Sequence, residues 1–251
     1  MVEQIQVSIV MPSWNAELYI SKAIESVLAQ TFDSFELIIV DDASSDGTGD
    51  LLKEYSTKDP RIITSRLANN SGPAAARNKA IEIASGRYIT FLDADDFWYP
   101  NKLATQLEFM RVNDIAFAYS CYDVVDETGK QTSTFVPPSQ LRYRDLLKTC
   151  SIGCLTAIYD TNKLGKLYMP QVLKRQDFAL WLKILRKVPL AYRAGDMPLA
   201  AYRKTNAGVS GNKITAAKFQ WGIYRDTEKL SFLSSCYYFV HYMINGILKY
   251  R

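Results

Sequence analysis

Between Val7 and Leu92 the chain alternates between two hydrophobic rhythms. Val7–Met11, Phe35–Val40, Arg61–Ser65 and Tyr88–Leu92 are short runs rich in apolar and β-branched residues, the composition of buried strands. Between them lie apolar residues at helical spacing. Ala16–Gln30 carries Leu18, Ile20, Ala23, Ile24, Val27 and Leu28, and a shorter helix runs through Leu51, Leu52 and Tyr55 after the turn and cap residues Ser44–Thr48. A third helix begins at Pro73, which suits a first helical turn, and stops near Gly86. Strands alternating with helices predict an α/β fold with a Rossmann-like, mostly parallel sheet flanked by helices.

Beyond Pro100 the rhythm is less regular. Asn101–Val112 reads as a helix and Ile115–Val125 as a strand. A turn at Glu127–Lys130 leads into Gln131–Val136, and Pro137-Pro138 is the clearest break. Leu155–Tyr159 and Leu199–Tyr202 are predicted as strands and Asp177–Lys187 as an amphipathic helix. From Ile214 onward the chain reads as helical. Repeats and low-complexity segments are absent.

Composition narrows the class. Hydrophobic residues make up 48% and charged residues 22% of the 251, ordinary for a soluble globular protein. The net charge of +4 hides a division: the first hundred residues hold 8 Lys/Arg against 15 Asp/Glu, and the remainder 22 against 11. An acidic front half fits a cation site or a solvated acidic surface, and a basic back half suits phosphates or an anionic membrane. No nucleic-acid partner is predicted, because no basic run interleaves with an aromatic recognition motif. Cys121, Cys150, Cys154 and Cys236 lack the spacing of a zinc set and read as core or neutral thiols. The chain shows no basic-then-apolar leader and no run of about 20 apolar residues, so a cytoplasmic location without a spanning helix is expected.

The chemistry concentrates where strands end. Tyr88–Leu92 runs directly into Asp93-Ala94-Asp95-Asp96, three carboxylates in four residues. Unpaired charges cannot remain inside a buried strand, so they belong at its carboxyl end, in water or around a cation. Pro12-Ser13-Trp14-Asn15 and Asp41-Asp42 occupy the corresponding ends of the first two strands. Each alone reads as a turn or helix cap, but in an open parallel sheet all three converge on one crevice. Neither Gly-x-Gly-x-x-Gly nor Gly-x-x-x-x-Gly-Lys-Ser/Thr is present, so a diphosphate here needs a metal for neutralisation, and Asp93 with Asp95 can hold one.

With these segments in order, the chain resembles the family 2 inverting glycosyltransferases of the GT-A fold, a group that includes bacterial capsule, teichuronic acid and exopolysaccharide enzymes. Val7–Asn15, Glu36–Thr48, Asn70–Asn78, Asp93-Ala94-Asp95 and Gln176–Trp181 are similar to the family's successive signatures, and the matches extend from Val7 to about Ser210. The resemblance implies a GT-A domain over residues 1–212, with a nucleotide-binding half to about 100 and an acceptor half after it, and a helical C-terminal extension over 213–251. It implies a UDP-sugar donor, Mn²⁺ or Mg²⁺, and a saccharide or lipid-linked saccharide acceptor. Pro12, Trp14 and Asp42 are expected at the uracil and ribose, and Arg77 at the base or diphosphate. Asp93 is expected at the ribose, donor sugar or metal, Asp95 at the metal, and Asp177 as general base. Arg203, in the closing Tyr-Arg segment, is expected as a donor contact.

This chain departs from the family at two places. Gln176 stands where relatives usually carry Glu, and Thr205 stands where many carry His; Arg203, Lys204 or Ser210 is a candidate replacement for that His. The sole histidine, His241, lies far from the motifs and reads as structural. A catalytically inactive nucleotide-sugar binder and, remotely, a metal-dependent phosphatase are the rival readings. The phosphatase type wants Thr or Val where Phe97 stands. The tail Leu230–Arg251 is aromatic, with Lys229, Lys249 and Arg251 around it. It suits either a helix lying on a membrane surface or one packed on the catalytic domain or a partner copy.

Overall fold

The computed structural model describes residues 5–172, 174–204 and 213–248. The first hundred residues run β1 (Val7–Ser13), α1 (Ile20–Leu28), β2 (Phe35–Asp41), α2 (Thr48–Lys58), β3 (Ile62–Arg66), α3 (Pro73–Ile83), β4 (Tyr88–Phe91) and β5 (Phe97–Trp98). There follow α4 (Lys102–Val112), β6 (Phe117–Val125), β7 (Gln131–Phe135), β8 (Gln140–Leu141), α5 (Tyr143–Lys148), β9 (Ile158–Asp160), α6 (Thr161–Leu164), α7 (Gln176–Leu185) and β10 (Ala191–Arg203). Helices α8 (Lys213–Gly222) and α9 (Phe232–Leu248) close the described chain, joined through a π-helical turn at Ile223–Thr227.

Ten strands form one sheet among the described residues, ordered β3-β2-β1-β4-β9-β6-β10-β5, with β7 on β6 and β8 on β10. The half built from β3, β2, β1 and β4 is parallel, as the alternating pattern predicts. Beyond β4 the sheet is mixed: β9 runs antiparallel to both β4 and β6, whereas β10 is parallel to β6. Strands β1, β2 and β4 are buried throughout. The pleat sends Val7, Ile9 and Met11 to one face, against α1 and α4, and Val10 to the other, where α3 and α7 pack.

Four expected elements differ in extent. Helix α1 starts at Ile20 rather than Ala16, because the amides of Ala16 and Glu17 are drawn to Thr48 Oγ1 (2.8 Å) and Asp46 Oδ2 (3.2 Å). The strand expected over Leu155–Tyr159 is split into a 3₁₀ turn at Cys154–Thr156 and the short β9. Strand β6 begins at Phe117. Strand β10 is far longer than Leu199–Tyr202. It runs through Gly195 (φ 75°) and Pro198 by shifting register against β6, and this irregular stretch conceals it from a periodicity argument.

The base of the parallel half is held by a buried carboxylate. Glu36 Oε1 accepts hydrogen bonds from Ser8 Oγ (2.6 Å), Ser85 N (2.6 Å) and Ser85 Oγ (2.9 Å), and Gly86 N donates to Ser8 Oγ (2.8 Å). A Cβ at Gly86 would stand 2.7 Å from the Ser8 amide nitrogen, so the close approach itself requires glycine. Replacing Glu36 by Ala leaves buried donors unmatched on two segments. Glu36→Ala is expected to lose about 2–4 kcal/mol in urea unfolding, and Glu36→Gln, which keeps an acceptor, clearly less. Equal losses in the two variants would contradict this account of the network.

Candidate active site

The chain leaves β1 for β2 and β3 on one side, then returns to β4 on the other. This reversal opens a crevice beyond the carboxyl ends of β1, β2 and β4, the usual binding position in such sheets. The three polar clusters at those strand ends meet here. Pro12 is buried within β1. Trp14, just past it, is 57% exposed, so it is not a core aromatic. Asn15 turns the chain with φ 47°, and its Oδ1 accepts from Ser45 N (2.9 Å), which ties the β1 loop to the β2 loop.

Asp41 and Asp42 diverge in role. Asp41 is buried and accepts from Ser44 N (3.0 Å), Ser44 Oγ and Arg66. Asp42 is buried too, and its two oxygens accept from Ser71 N (2.7 Å) and Gly72 N (2.7 Å). Gly72 has φ 85° and precedes Pro73 at the start of α3. Asp42 therefore fixes the loop that launches α3, and α3 carries Arg77.

Arg77 is 7% exposed and donates to Asp93 Oδ1 in a short ion pair. Burial works against its charge, but Asp93, the neighbouring Cys154 and Asp177 more than compensate and raise its pKa. Its Nε makes no hydrogen bond to the described residues, which leaves a donor for a ligand oxygen. Asp95 has its pKa pushed up to about 6 by burial and then by the charge on Asp93. Asp96 is buried, and burial with Asp95 and Asp93 raises it well above the ordinary range; its Oδ1 accepts from Arg203 N (2.8 Å).

Asp177 enters from the second half of the chain, in the first turn of α7. It keeps an opening to solvent but is densely surrounded. Burial raises its pKa, Arg77 opposes the shift, and Asp93 adds to it. The helix begins behind Arg175, in the left-handed region at φ 62°, with Gln176 buried beside Asp177. Arg77 thus lies in electrostatic reach of both Asp93 and Asp177, although 84 and 100 residues separate Asp93 and Arg77 from Asp177.

Arg203 is placed differently from the donor-contact expectation. Its Nε donates to the Asp95 carbonyl (2.9 Å) and its Nη1 to the Glu127 carbonyl (2.8 Å), and its guanidinium lies over the Tyr19 ring at 5.1 Å. It clamps the acidic loop from behind. Lys204 donates its amide to the Val125 carbonyl (2.8 Å), whereas Thr205 and Ser210 lie outside the described residues. His241 packs on Tyr237 at 4.6 Å in α9, away from the crevice.

Sequence reasoning missed Cys154 and Lys102. Cys154 is a free thiol held neutral by burial, near Arg77, Asp93 and Asp177. It arrives on the 3₁₀ turn before β9, and no spacing signal marks it. Lys102 is fully buried at the first position of α4. Its Nζ donates to Gln106 Oε1 (2.7 Å) and Thr90 Oγ1 (3.2 Å) and lies 3.9 Å above the Trp98 ring; burial pushes its pKa well down.

A divalent cation fits the donor set. Among the described residues no three His, Cys, Asp or Glu side chains close into a cage. Mg²⁺ and Mn²⁺ sites, however, commonly use one or two carboxylates and complete the shell with phosphates and water. Asp95, crowded by Asp93 and raised toward neutrality, is the carboxylate such an ion would relieve.

Comparison with known proteins agrees with this geometry. A Bacillus subtilis (strain 168) protein that carries the name of a teichuronic acid biosynthesis glycosyltransferase, TuaG, is 44% identical over 244 residues, covering 97% of this chain and 96% of the relative. An Escherichia coli protein named UDP-Glc:alpha-D-GlcNAc-diphosphoundecaprenol beta-1,3-glucosyltransferase WfgD is 39% identical over 244 residues, covering 97% and 94%. The crystal structure of S. aureus TarS 1-349 in complex with UDP-GlcNAc superposes with a TM-score of 0.73 at 24% identity, over 88% of this chain and 64% of that one, and shows the shared GT-A fold. Residues 8–160 match Glycosyl transferase family 2, and the chain belongs to that family.

Proposed function

We propose that this glycosyltransferase moves a sugar from a UDP-sugar to an acceptor hydroxyl, with inversion at the anomeric carbon, in the assembly of a bacterial cell-surface polysaccharide. The observation that carries this reading is the meeting of Asp93, Asp95, Arg77 and Asp177 in one crevice at the sheet's reversal point. The UDP-GlcNAc bound by TarS supports a uridine donor here, and the name of WfgD supports a lipid-linked acceptor.

In this reading the exposed indole of Trp14 and the buried Pro12 flank the uracil, and Asp42 orders that end of the pocket while fixing the Ser71-Gly72 loop. Asp95 with Asp93 would hold Mn²⁺ or Mg²⁺, whose contribution is Lewis-acid neutralisation of the departing diphosphate. Arg77 orients Asp93 through their ion pair, with its Nε free for a donor oxygen. Arg203 holds the Asp95 carbonyl, so it supports the site from behind the acidic loop. Asp177 takes the proton from the attacking hydroxyl. With one base and no enzyme nucleophile, a single displacement follows. The division into a catalytic domain over 1–212, with its two halves meeting near residue 100, and a helical extension over 213–251 belongs to the same proposal. So does a cytoplasmic location at the inner face of the membrane.

Asp177→Asn is expected to lower the rate of UDP release in the presence of acceptor by about 10²–10⁴-fold while donor binding persists. Retained turnover would remove Asp177 from the role of base, and absence of turnover in the wild type would favour the inactive-binder reading. In the wild type, Asp177 acts only when ionised, and its raised pKa moves the acid limb of kcat/KM above the ordinary aspartate range near ~4. A flat profile down to that range would contradict the assignment. Asp95→Ala is expected to abolish the dependence of donor binding on Mn²⁺, read by calorimetry with and without the ion.

A further inference from the structure

The 17 residues of α9 turn two apolar faces outward from their axis. The inner face packs on the body of the protein. Ser235 is buried, Tyr238 packs near Tyr224, Asn245 Nδ2 donates to the Lys148 carbonyl (3.3 Å), and Tyr242 accepts from Arg175. The outer face carries Leu233, Tyr237, Val240 and Ile244 at spacings of four, three and four, one stripe of a helix, and these are 80%, 53%, 56% and 49% exposed. Phe232 extends it at 62% exposure, edge-on to Trp221 at 6.0 Å. A contiguous apolar row of this kind is unusual on a soluble surface.

We propose that this row docks on the surface of an anionic lipid bilayer. Charge decides between occupants. From Lys229 to Arg251 the sequence has no Asp or Glu, and Lys229, Lys249 and Arg251 stand at its two ends. The segment's charge is therefore all positive, so two copies of it would repel, whereas an anionic lipid surface is complementary to it. Tyr237 and Phe232 in an apolar row suit the headgroup boundary, where aromatic side chains concentrate. Among the described residues no helix is long and apolar enough to cross a membrane, so the row lies along the surface.

The placement also suits the chemistry. Tyr242 on the inner face accepts from Arg175, whose guanidinium lies 5.0 Å from the Tyr242 ring, and Arg175 starts the helix that carries Asp177. The docked face is therefore about one helix diameter, ~10 Å, from the segment that presents the base. An acceptor headgroup leaving the bilayer meets the crevice on that side. This last point rests on the proposed glycosyl transfer; the docking does not.

The test is flotation of the full chain with vesicles of phosphatidylcholine alone or with phosphatidylglycerol. Binding is expected to the anionic vesicles and to weaken as salt rises. Leu233→Ser combined with Val240→Ser and Ile244→Ser is expected to lower the partition coefficient by at least about tenfold. Lys229→Glu combined with Lys249→Glu and Arg251→Glu leaves the apolar row intact and is expected to abolish the preference for anionic vesicles. A UDP-induced rise in melting temperature in each variant reports an intact donor domain, independently of vesicle binding. Absence of wild-type binding, or binding of either variant to anionic vesicles at the wild-type level, would overturn the proposal, as would a wild-type dimer that the serine variant converts to monomer without any change in vesicle binding.

Discussion

One buried guanidinium sets the electrostatics of the crevice. Arg77 places a full charge where little solvent reaches, bonded to Asp93 and within reach of Asp95 and Asp177. Without it, carboxylates crowded at the mouth of the sheet would drive one another toward protonation. Breaking a buried pair by removing one partner costs about 3–5 kcal/mol, far more than an exposed ion pair contributes. Asp93 has its ion pair with Arg77, while Asp95 nearby is left raised to about 6. That inequality separates a carboxylate already satisfied by protein from one that a cation would satisfy.

The position of Arg77 depends in turn on backbone chemistry two strands away. Asp42, at the end of β2, receives the amides of Ser71 and Gly72. Gly72 adopts a positive φ that other residues enter with strain, and Pro73 then starts α3 without an amide to satisfy. Arg77 follows one turn later on the face turned to the sheet. On the far side, Arg203 ties the Asp95 carbonyl to the loop after β6 through the carbonyls of Asp126 and Glu127. The acidic loop is gripped from both halves of the sheet, which keeps three adjacent carboxylates in place against their own repulsion.

Much of this was legible in the residues. The parallel half announces itself because both faces of β1, β2 and β4 are buried, so their runs are continuously apolar, and a carboxylate cluster can only follow such runs at their ends. The family signatures carried the rest of the crevice, Asp177 included. What stayed hidden depends on tertiary contacts. Lys102 looks like a solvated first-turn lysine and is instead fully buried over Trp98. Cys154 has no motif and reaches Arg77 only because β9 reverses against β4. Strand β10 hides behind Gly195, Asp196 and Pro198, and the bonds of Arg203 to three carbonyls have no signal in the sequence.

The tail offered two readings, and the inner face of α9 shows one of them, packing on the catalytic domain. The inner face is a packing surface joined to α5 and to Arg175, and the outer face stays largely exposed, touched at its start by Trp221. Burying one aromatic face would already suffice to hold a helix on a domain. Keeping a second apolar row in water forgoes about 25 cal/mol for each Å² left exposed. A helix serving only as a brace has no need of Leu233, Val240 and Ile244 on its solvent side, and polar residues there would cost the fold nothing. The brace also meets the protein at Arg175, the left-handed residue from which the helix of Asp177 starts. The helix with the exposed row and the segment that carries Asp177 thus meet through one contact, Tyr242 on Arg175.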